Sequence, residues 1–350
     1  MSDPSTTEAL LLCCPECRAA LRRLEVSQAG FAEAGLDRDG ELRCPACERT
    51  FPVRDRTPRL LPDDLRPREV DATGRAEDVR LRTAESFAYE WQRFGDRRPE
   101  WTQNFLDYLQ PHRGEWLNSK LVLDVGTGSG RHSYQASRFG ARVVAVDVGA
   151  AIDVARGNLP DSVLTVQAAA ESLPFSEEQF DLVMSIGVLH HLPNPERAFR
   201  GLIDHVRPGG WVHVYLYWQP PHAWHRALLR AVSASRRATV RLPRPLLHFL
   251  CYPVAAALYA GFVLPHKMLG RTRLLSRFAD ALPLKTYAEY SFGVLVNDTF
   301  DRFSAPIENR YTREEVAEWF VNAGLEEISV LPNAGWVASG RKSRAPREPA

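Results

Sequence analysis

The run Leu121-Val-Leu-Asp-Val-Gly-Thr-Gly-Ser-Gly130 constrains this chain more than any other segment. It reads as a buried strand that breaks into a glycine loop and then enters a helix. A second apolar run, Arg142-Val-Val-Ala-Val-Asp147, ends on an acid. This order describes a nucleoside pocket: glycines let the backbone approach the ligand, a helix start offers free N–H groups, and the carboxylate accepts from ribose hydroxyls. The spacing narrows the ligand. Gly126, Gly128 and Gly130 form G-x-G-x-G, and Arg131 stands where the dinucleotide fingerprint carries its last glycine, which disfavours a pyrophosphate cradle. Asp124, just before the loop, suits a cationic or hydrogen-bond-donating ligand better than a phosphate. Taken alone, the loop also fits an ordinary tight strand-to-helix turn.

The surrounding pattern alternates. Strands are expected at 121–125, 142–147, 163–167, 180–186 and 211–217, with helices at 129–139, 150–157 and 195–206. Asn194-Pro195 gives the last helix an N-cap and an N1 proline. Such alternation predicts an α/β fold, a doubly wound and mostly parallel sheet that binds ligands at the carboxyl ends of its strands. The sheet resumes late. Thr312 and Glu315 form a capping box for a helix running through Ala323, Gly324 stops it, and strands near 326–331 and 335–340 complete the fold.

Four of the six cysteines fall in two knuckles, Cys14-Pro-Glu-Cys17 and Cys44-Pro-Ala-Cys47. Paired C-x-x-C turns suit tetrahedral Zn2+ held by four thiolates, a closed and hence structural site. Two redox pairs, or a chance spacing, are the competing readings. Cys13 can stand in for Cys14, and Cys251 lies in an apolar run as a small buried residue.

Two resemblances join these readings. Leu121–Gly130, Asp147, Glu171-Ser-Leu-Pro-Phe175, Phe180 to His191 and Val206 to Tyr215 together resemble the class I S-adenosylmethionine-dependent methyltransferases, in order and spacing, over about a hundred residues. The resemblance implies S-adenosyl-L-methionine as cofactor, held by Asp124, Gly126, Gly128, Gly130, Asp147, Val148, Ala169, Ala170, Glu171, Ile186 and Gly187. Ala169 departs from the pattern: relatives of this type often place there an acid that binds the adenine amino group. The knuckles followed by Phe51-Pro-Val53 and Pro58-Arg-Leu-Leu61 resemble the small Trm112-like zinc domains that accompany methyltransferases. The implied organisation is a zinc-ribbon module over 1–62, a linker and N-terminal helices over 63–118, and a Rossmann-like core over 119–218 and 307–342. A helical lid insertion over 219–306 and a disordered tail over 343–350 complete it.

The insertion is unusual in charge. His205 to Ala279 contains no Asp or Glu and eleven Lys and Arg, and Leu246 to Leu264 carries no formal charge. Three readings stand: a buried lid over the site, a peripheral membrane contact through 219–280, and, with least support, a nucleic-acid surface. A true span is disfavoured, since the core lies on both sides of this single candidate. A helix is expected over Thr83–Phe94 with Phe87, Trp91 and Phe94 on one stripe. The stripe is read as packing, with Tyr89 or Trp91 as the candidates for cofactor contact.

Methyl transfer needs positioning and, for a hydroxyl or ammonium acceptor, a base. His191, His222 and Tyr215 are the candidates, with His190 and Tyr217 beside them, and Arg310 is available for an anionic group or a salt bridge. The Asn/Asp-Pro-Pro-Tyr loop of adenine and glutamine amide methyltransferases is absent; Ser185-Ile-Gly-Val-Leu-His-His191 replaces it. The leading expectation is a methyltransferase acting on a small, apolar or lipid-like metabolite. The rivals are an RNA or translation-protein methyltransferase and a non-catalytic cofactor-binding scaffold. The N-terminus lacks the basic region of a signal peptide, so a cytoplasmic location, with or without membrane association, is expected. Oligomeric state is left open.

Overall fold

The computed structural model describes residues 8–27, 30–32, 36, 39–66, 79–95, 101–220, 222–269 and 284–344. The first of these build the zinc module from two three-stranded antiparallel sheets. One is β1 (Glu8–Cys13), β2 (Ala20–Ser27) and β3 (Gly30–Ala32), and the other is β4 (Gly40–Arg43), β5 (Thr50–Arg54) and β6 (Thr57–Pro58). Each knuckle lies in the turn between the first two strands of its sheet, which brings the two C-x-x-C turns face to face.

The core sheet has seven strands. In chain order these are β7 (Leu121–Val125), β8 (Arg142–Asp147), β9 (Leu164–Gln167), β10 (Phe180–Ile186), β11 (Val206–Leu216), β12 (Leu325–Pro332) and β13 (Trp336–Lys342). Their spatial order is β12-β13-β11-β10-β7-β8-β9, parallel from β9 to β11 and antiparallel at β13 and β12. Successive residues of a strand face opposite sides. In β7, Leu121, Leu123 and Val125 therefore enter one core while Val122 enters the other. Both faces are covered, so the strand reads as continuously apolar. The first core is continuous with the zinc module through Leu10, Leu12 and Phe51; the second lies under α2 (Trp101–Leu109), α3 (Arg131–Arg138) and α4 (Ala151–Asn158).

Two boundaries move for identifiable reasons. β11 begins at Val206, five residues earlier than its apolar run, because Val206 pairs with Phe180 and a register shift then absorbs Pro208-Gly209, with Gly209 at φ 79°. Helix α3 begins at Arg131 because Gly130 is left-handed, at φ 85°. The late helix forms as read. Glu315 N–H donates to Thr312 Oγ1 at 3.2 Å, and Thr312 N–H donates to Glu315 Oε2 at 2.6 Å.

Helix α5 (Pro195–Asp204) joins β10 to β11, and the insertion that follows β11 is helical in its described part. It contains α6 (Ala223–Thr239), α7 (Arg244–Leu258) running through a π turn into α8 (Leu264–Leu269), and α9 (Phe292–Ser304). Residues 270–283 lie outside the described residues, as do most of the expected linker (67–78) and the tail from 345. From Arg244 to Leu269 the helix is continuous for 26 residues, long and apolar enough by composition to cross a membrane. Its inner side packs on α9: Leu247 and Cys251 against Phe300, Ala255 and Val263 against Leu295 and Val296. Its outer side exposes Phe249 at 69% and Met268 at 63%, with Leu246, Leu250, Tyr252, Val254 and Leu264 beside them. Cys251 is the small buried residue expected.

Candidate functional site

The glycine loop leaves β7 with three left-handed glycines: Gly126 at φ 80°, Gly128 at 57° and Gly130 at 85°. The N–H groups of Gly126 and Thr127 both donate to Val146 O at 2.8 Å, which ties the loop to the end of β8. Asp124 lies beneath, 1% exposed, and its Oδ2 accepts from Thr127 Oγ1 at 2.9 Å and Ser133 Oγ at 2.7 Å. Burial pushes its carboxyl up to about 6, against the pull of those hydroxyls. Asp147 ends β8 between two amides: Gly128 N–H donates to Oδ2 at 3.0 Å and Gly149 N–H to Oδ1 at 2.9 Å. Burial pushes it to about 6 as well, with the Asp124 charge adding to the rise.

An N-terminal helix, α1 (Val79–Phe94), closes over the loop. A Cβ built on Gly128 would meet Trp91 Nε1 at 2.7 Å, so the indole lies directly on the backbone at that glycine. Of the two aromatic candidates, only Trp91 reaches the loop. Tyr89 faces α7 and α9, edge-on to His248 at 6.1 Å and tilted on Phe300 at 5.4 Å. Arg131 sits under both Trp91, at 5.3 Å, and Trp101, at 5.2 Å. Sequence reading missed this clamp: Arg131 registered only as an absent glycine.

Val148 is joined to the end of β9, where Gln167 Nε2 donates to its carbonyl at 3.0 Å. The loop that follows carries Ala169, Ala170 and Glu171; Ala169 is buried and Glu171 exposed. This loop is held by the zinc module. Arg18, beside the first knuckle, donates to Leu173 O at 2.5 Å and Phe175 O at 2.6 Å, and Cys13 N–H donates to Pro174 O at 2.8 Å. Leu60 N–H donates to Gln167 O at 2.8 Å, and Thr57 shares a buried 2.7 Å hydroxyl bond with Thr165. The module thus covers the free edge of β9, which otherwise exposes unpaired backbone groups. Nothing in the composition of 1–62 announces this docking.

The four knuckle cysteines converge. Their Sγ atoms all lie within 4.8 Å of one another, with Cys14–Cys47 at 3.7 Å and Cys17–Cys44 at 3.5 Å. Tetrahedral Zn–S bonds of about 2.3 Å put sulfurs about 3.8 Å apart, so the four-thiolate set fits zinc. Cys13 is outside this cluster.

On the other side of the loop, Gly187, at φ 82°, follows Ile186 at the tip of β10 with open space where a side chain would be. His190 is 0% exposed and stacks on Tyr217 at 3.9 Å, and burial holds its imidazole well below the ordinary range. His191 Nδ1 lies 2.6 Å from Ile307 O, and the ring meets Phe87 edge-on at 4.9 Å. Tyr215 packs on Tyr108 at 4.7 Å. These groups gather at the tips of β10 and β11. His222 does not join the buried group; it is exposed at the N-cap of α6. Arg310 pairs with Glu308 at 2.7 Å, and Arg236 pairs with the same carboxylate at 2.6 Å, so its fate is a buried ion pair.

Residues 123–214 match the family model described as a methyltransferase domain, and residues 10–55 match that of Trm112p-like proteins. The ubiquinone biosynthesis O-methyltransferase of Stutzerimonas stutzeri is 32% identical over 158 residues, 42% of this chain and 66% of that protein. The protein of the same name from Albidiferax ferrireducens is 29% identical over 178 residues, 46% of this chain and 67% of that protein. The chain thus spans about two thirds of the length of these relatives, in the first case just under. Among solved structures, a chain of the complex between the Haloferax volcanii Trm112 methyltransferase activator and a methyltransferase is 13% identical at a TM-score of 0.42, covering 76% of this chain and 100% of that one.

Proposed function

We propose that this chain, which carries a class I methyltransferase domain behind a Trm112-like zinc module, transfers a methyl group from S-adenosylmethionine to a small, lipid-like metabolite. The observation that carries the reading is Asp147, half-buried and held between the Gly128 and Gly149 amides beside a glycine loop roofed by Trp91. Asp147 is the group to hold the ribose, Asp124 and the loop to hold the amino-acid end, and the 168–171 backbone to hold the adenine. The cofactor, when bound, supplies an activated methyl on a sulfonium. The chain's part is to align the acceptor with it and exclude water.

The names of the two relatives support a hydroxyl acceptor on a quinone-type ring. His191 suits the base for such a hydroxyl. Its Nδ1 faces the Ile307 carbonyl, which places the ring proton there and leaves Nε2 with a lone pair. Tyr215 lines the same region, whereas the exposed position of His222 offers it no comparable setting. The exposed apolar side of α7–α8, with Arg241 near its start, supports peripheral contact with an anionic membrane from which a lipid-like acceptor is drawn.

Calorimetry with S-adenosylhomocysteine tests the reading. The full chain is expected to bind it, and Asp147→Ala to weaken binding strongly. Absence of binding by the zinc-loaded wild type sinks the proposal in favour of a scaffold. Salt-sensitive retention of RNA, with no transfer to hydroxylated lipids, favours an RNA substrate instead.

A further inference from the structure

One buried group has no part in the chemistry above. Glu90, on α1, is 2% exposed. Its Oε1 accepts from Asn297 Nδ2 at 2.8 Å, while Oε2 is buried with no hydrogen-bond partner. Facing it on α9, Asn297 Oδ1 and Asp301 Oδ1 are also buried without a donor. Asp301 Oδ2 accepts from Tyr217 OH at 3.0 Å, and Tyr217 is the ring on which His190 stacks. Neither nitrogen of His190 has a partner, though the residue is fully buried. The neighbouring Asp298 accepts from Tyr287 OH at 2.5 Å.

Asn297 Oδ1 and Asp301 Oδ1 are acceptors, Glu90 Oε2 accepts when ionised, and the three lie in one interface between α1 and α9 that reaches the tip of β11 through Tyr217. A buried acceptor left unsatisfied costs roughly 1–3 kcal/mol, so several together indicate a donor that arrives from outside the chain. The donor's charge is also constrained. The guanidinium groups of Arg131 and Arg302 lie within electrostatic range of these carboxyls, offsetting their charge and disfavouring an added ammonium. Burial, helped by the Asp301 and Asp298 charges, holds the Glu90 carboxyl well above the usual carboxylate range. A neutral hydroxyl meets neither obstacle.

We propose that Glu90 Oε2 and Asp301 Oδ1 form the polar end of the acceptor subsite, exchanging hydrogen bonds with adjacent hydroxyls on the acceptor's ring: Asp301 Oδ1 accepts, and Glu90 Oε2 accepts when ionised and donates when protonated. The inference rests on the methyltransferase reading and sharpens its substrate class: the acceptor has a hydroxylated head as well as an apolar tail. Glu90 acts here in recognition, with no proton transfer assigned to it. Sites built to satisfy a hydroxyl strongly reject analogues that lack it, because their buried polar groups are then left unpaired.

The probes are 4-propylcatechol, its dimethyl ether and phenethylamine, each titrated calorimetrically into the full chain saturated with S-adenosylhomocysteine. The catechol is expected to bind at least about tenfold more tightly than the other two. Glu90→Gln and Asp301→Asn should each remove about tenfold of that affinity while leaving the S-adenosylhomocysteine affinity within about twofold. Equal binding of the dimethyl ether, preference for phenethylamine, no catechol binding by the wild type, or unchanged catechol binding in both variants overturns the proposal. Parallel loss of S-adenosylhomocysteine binding in both variants also overturns it, by showing a structural role. If the wild type fails to bind S-adenosylhomocysteine, the cofactor reading has failed, and the same probe series on the unliganded chain still decides the donor preference.

Discussion

The protonation of Asp147 gives the sharpest quantitative test of the cofactor pocket. The carboxyl is raised from an ordinary 3.8 to about 6, chiefly by burial. On the proposed reading, ribose hydroxyls donate to the ionised form, so ligand binding favours loss of the proton. Affinity is therefore at its plateau above about pH 6 and falls as pH drops through that value. One pK unit is 1.36 kcal/mol, so by about pH 5 the affinity should be roughly tenfold below plateau. Asp147→Asn removes the titration and the charge while keeping the shape. A hydrogen bond to a charged acceptor contributes about 1.5–3 kcal/mol, so a loss on the order of 2–3 kcal/mol, roughly 30- to 150-fold, is expected near pH 7.5. The gap between the two proteins should then narrow toward pH 5. Asp124 also stands at about 6 but titrates in both proteins, so the difference isolates Asp147. The assay is isothermal titration with S-adenosylhomocysteine across about pH 5 to 8. A variant that binds like the wild type, or a gap that does not change with pH, refutes the reasoning.

Other outcomes follow from the packing. Arg18→Ala removes two charged hydrogen bonds to the 173–175 carbonyls and should lower stability by about 2–4 kcal/mol in urea titrations, with weaker S-adenosylhomocysteine binding; an effect below about 0.5 kcal/mol would contradict the anchoring role. Stripping zinc with a chelator should loosen the same loop and lower both Tm and cofactor affinity, and unchanged melting after verified metal loss speaks against a structural cluster. Glu308 is held below the usual range because Arg310 and Arg236 outweigh its burial. Glu308→Gln strands the buried Arg236 and should cost about 3–5 kcal/mol by chemical denaturation, a value under about 1 kcal/mol being incompatible with that pairing. Phe249→Ser combined with Met268→Ser should abolish salt-sensitive sedimentation with anionic liposomes without lowering Tm, since both side chains already face outward. Undiminished sedimentation removes the membrane reading.

What the sequence revealed and what it hid divide along chain distance. The glycine loop, Asp147, the two knuckles and the capping box at Thr312 are written in neighbouring residues, where spacing alone sets backbone geometry. The anchor of the loop after β9 is not: Arg18 meets Leu173 and Phe175 more than 150 positions away, and on its own it reads as a charged residue of a surface turn. Glu90 is hidden for the same reason. On a helix carrying Glu85, Gln92 and Arg93, an acid reads as part of a solvated face, and only the arrival of Asn297 and Asp301 on α9 buries it. The start of β11 was misjudged because Pro208 and Gly209 read as a turn, whereas pairing of Val206 with Phe180 extends the strand across them.

The zinc module's seat on the β9 edge fixes a stoichiometry. Because 8–66 and the core share one polypeptide, their docking is intramolecular, and dilution does not dissociate it. The edge occupied by Thr57 to Leu60 is closed to any second copy of such a module, so the ratio of module to core is always one to one. Metal starvation would then act on every molecule individually, with no free pool of intact modules to replace a damaged one.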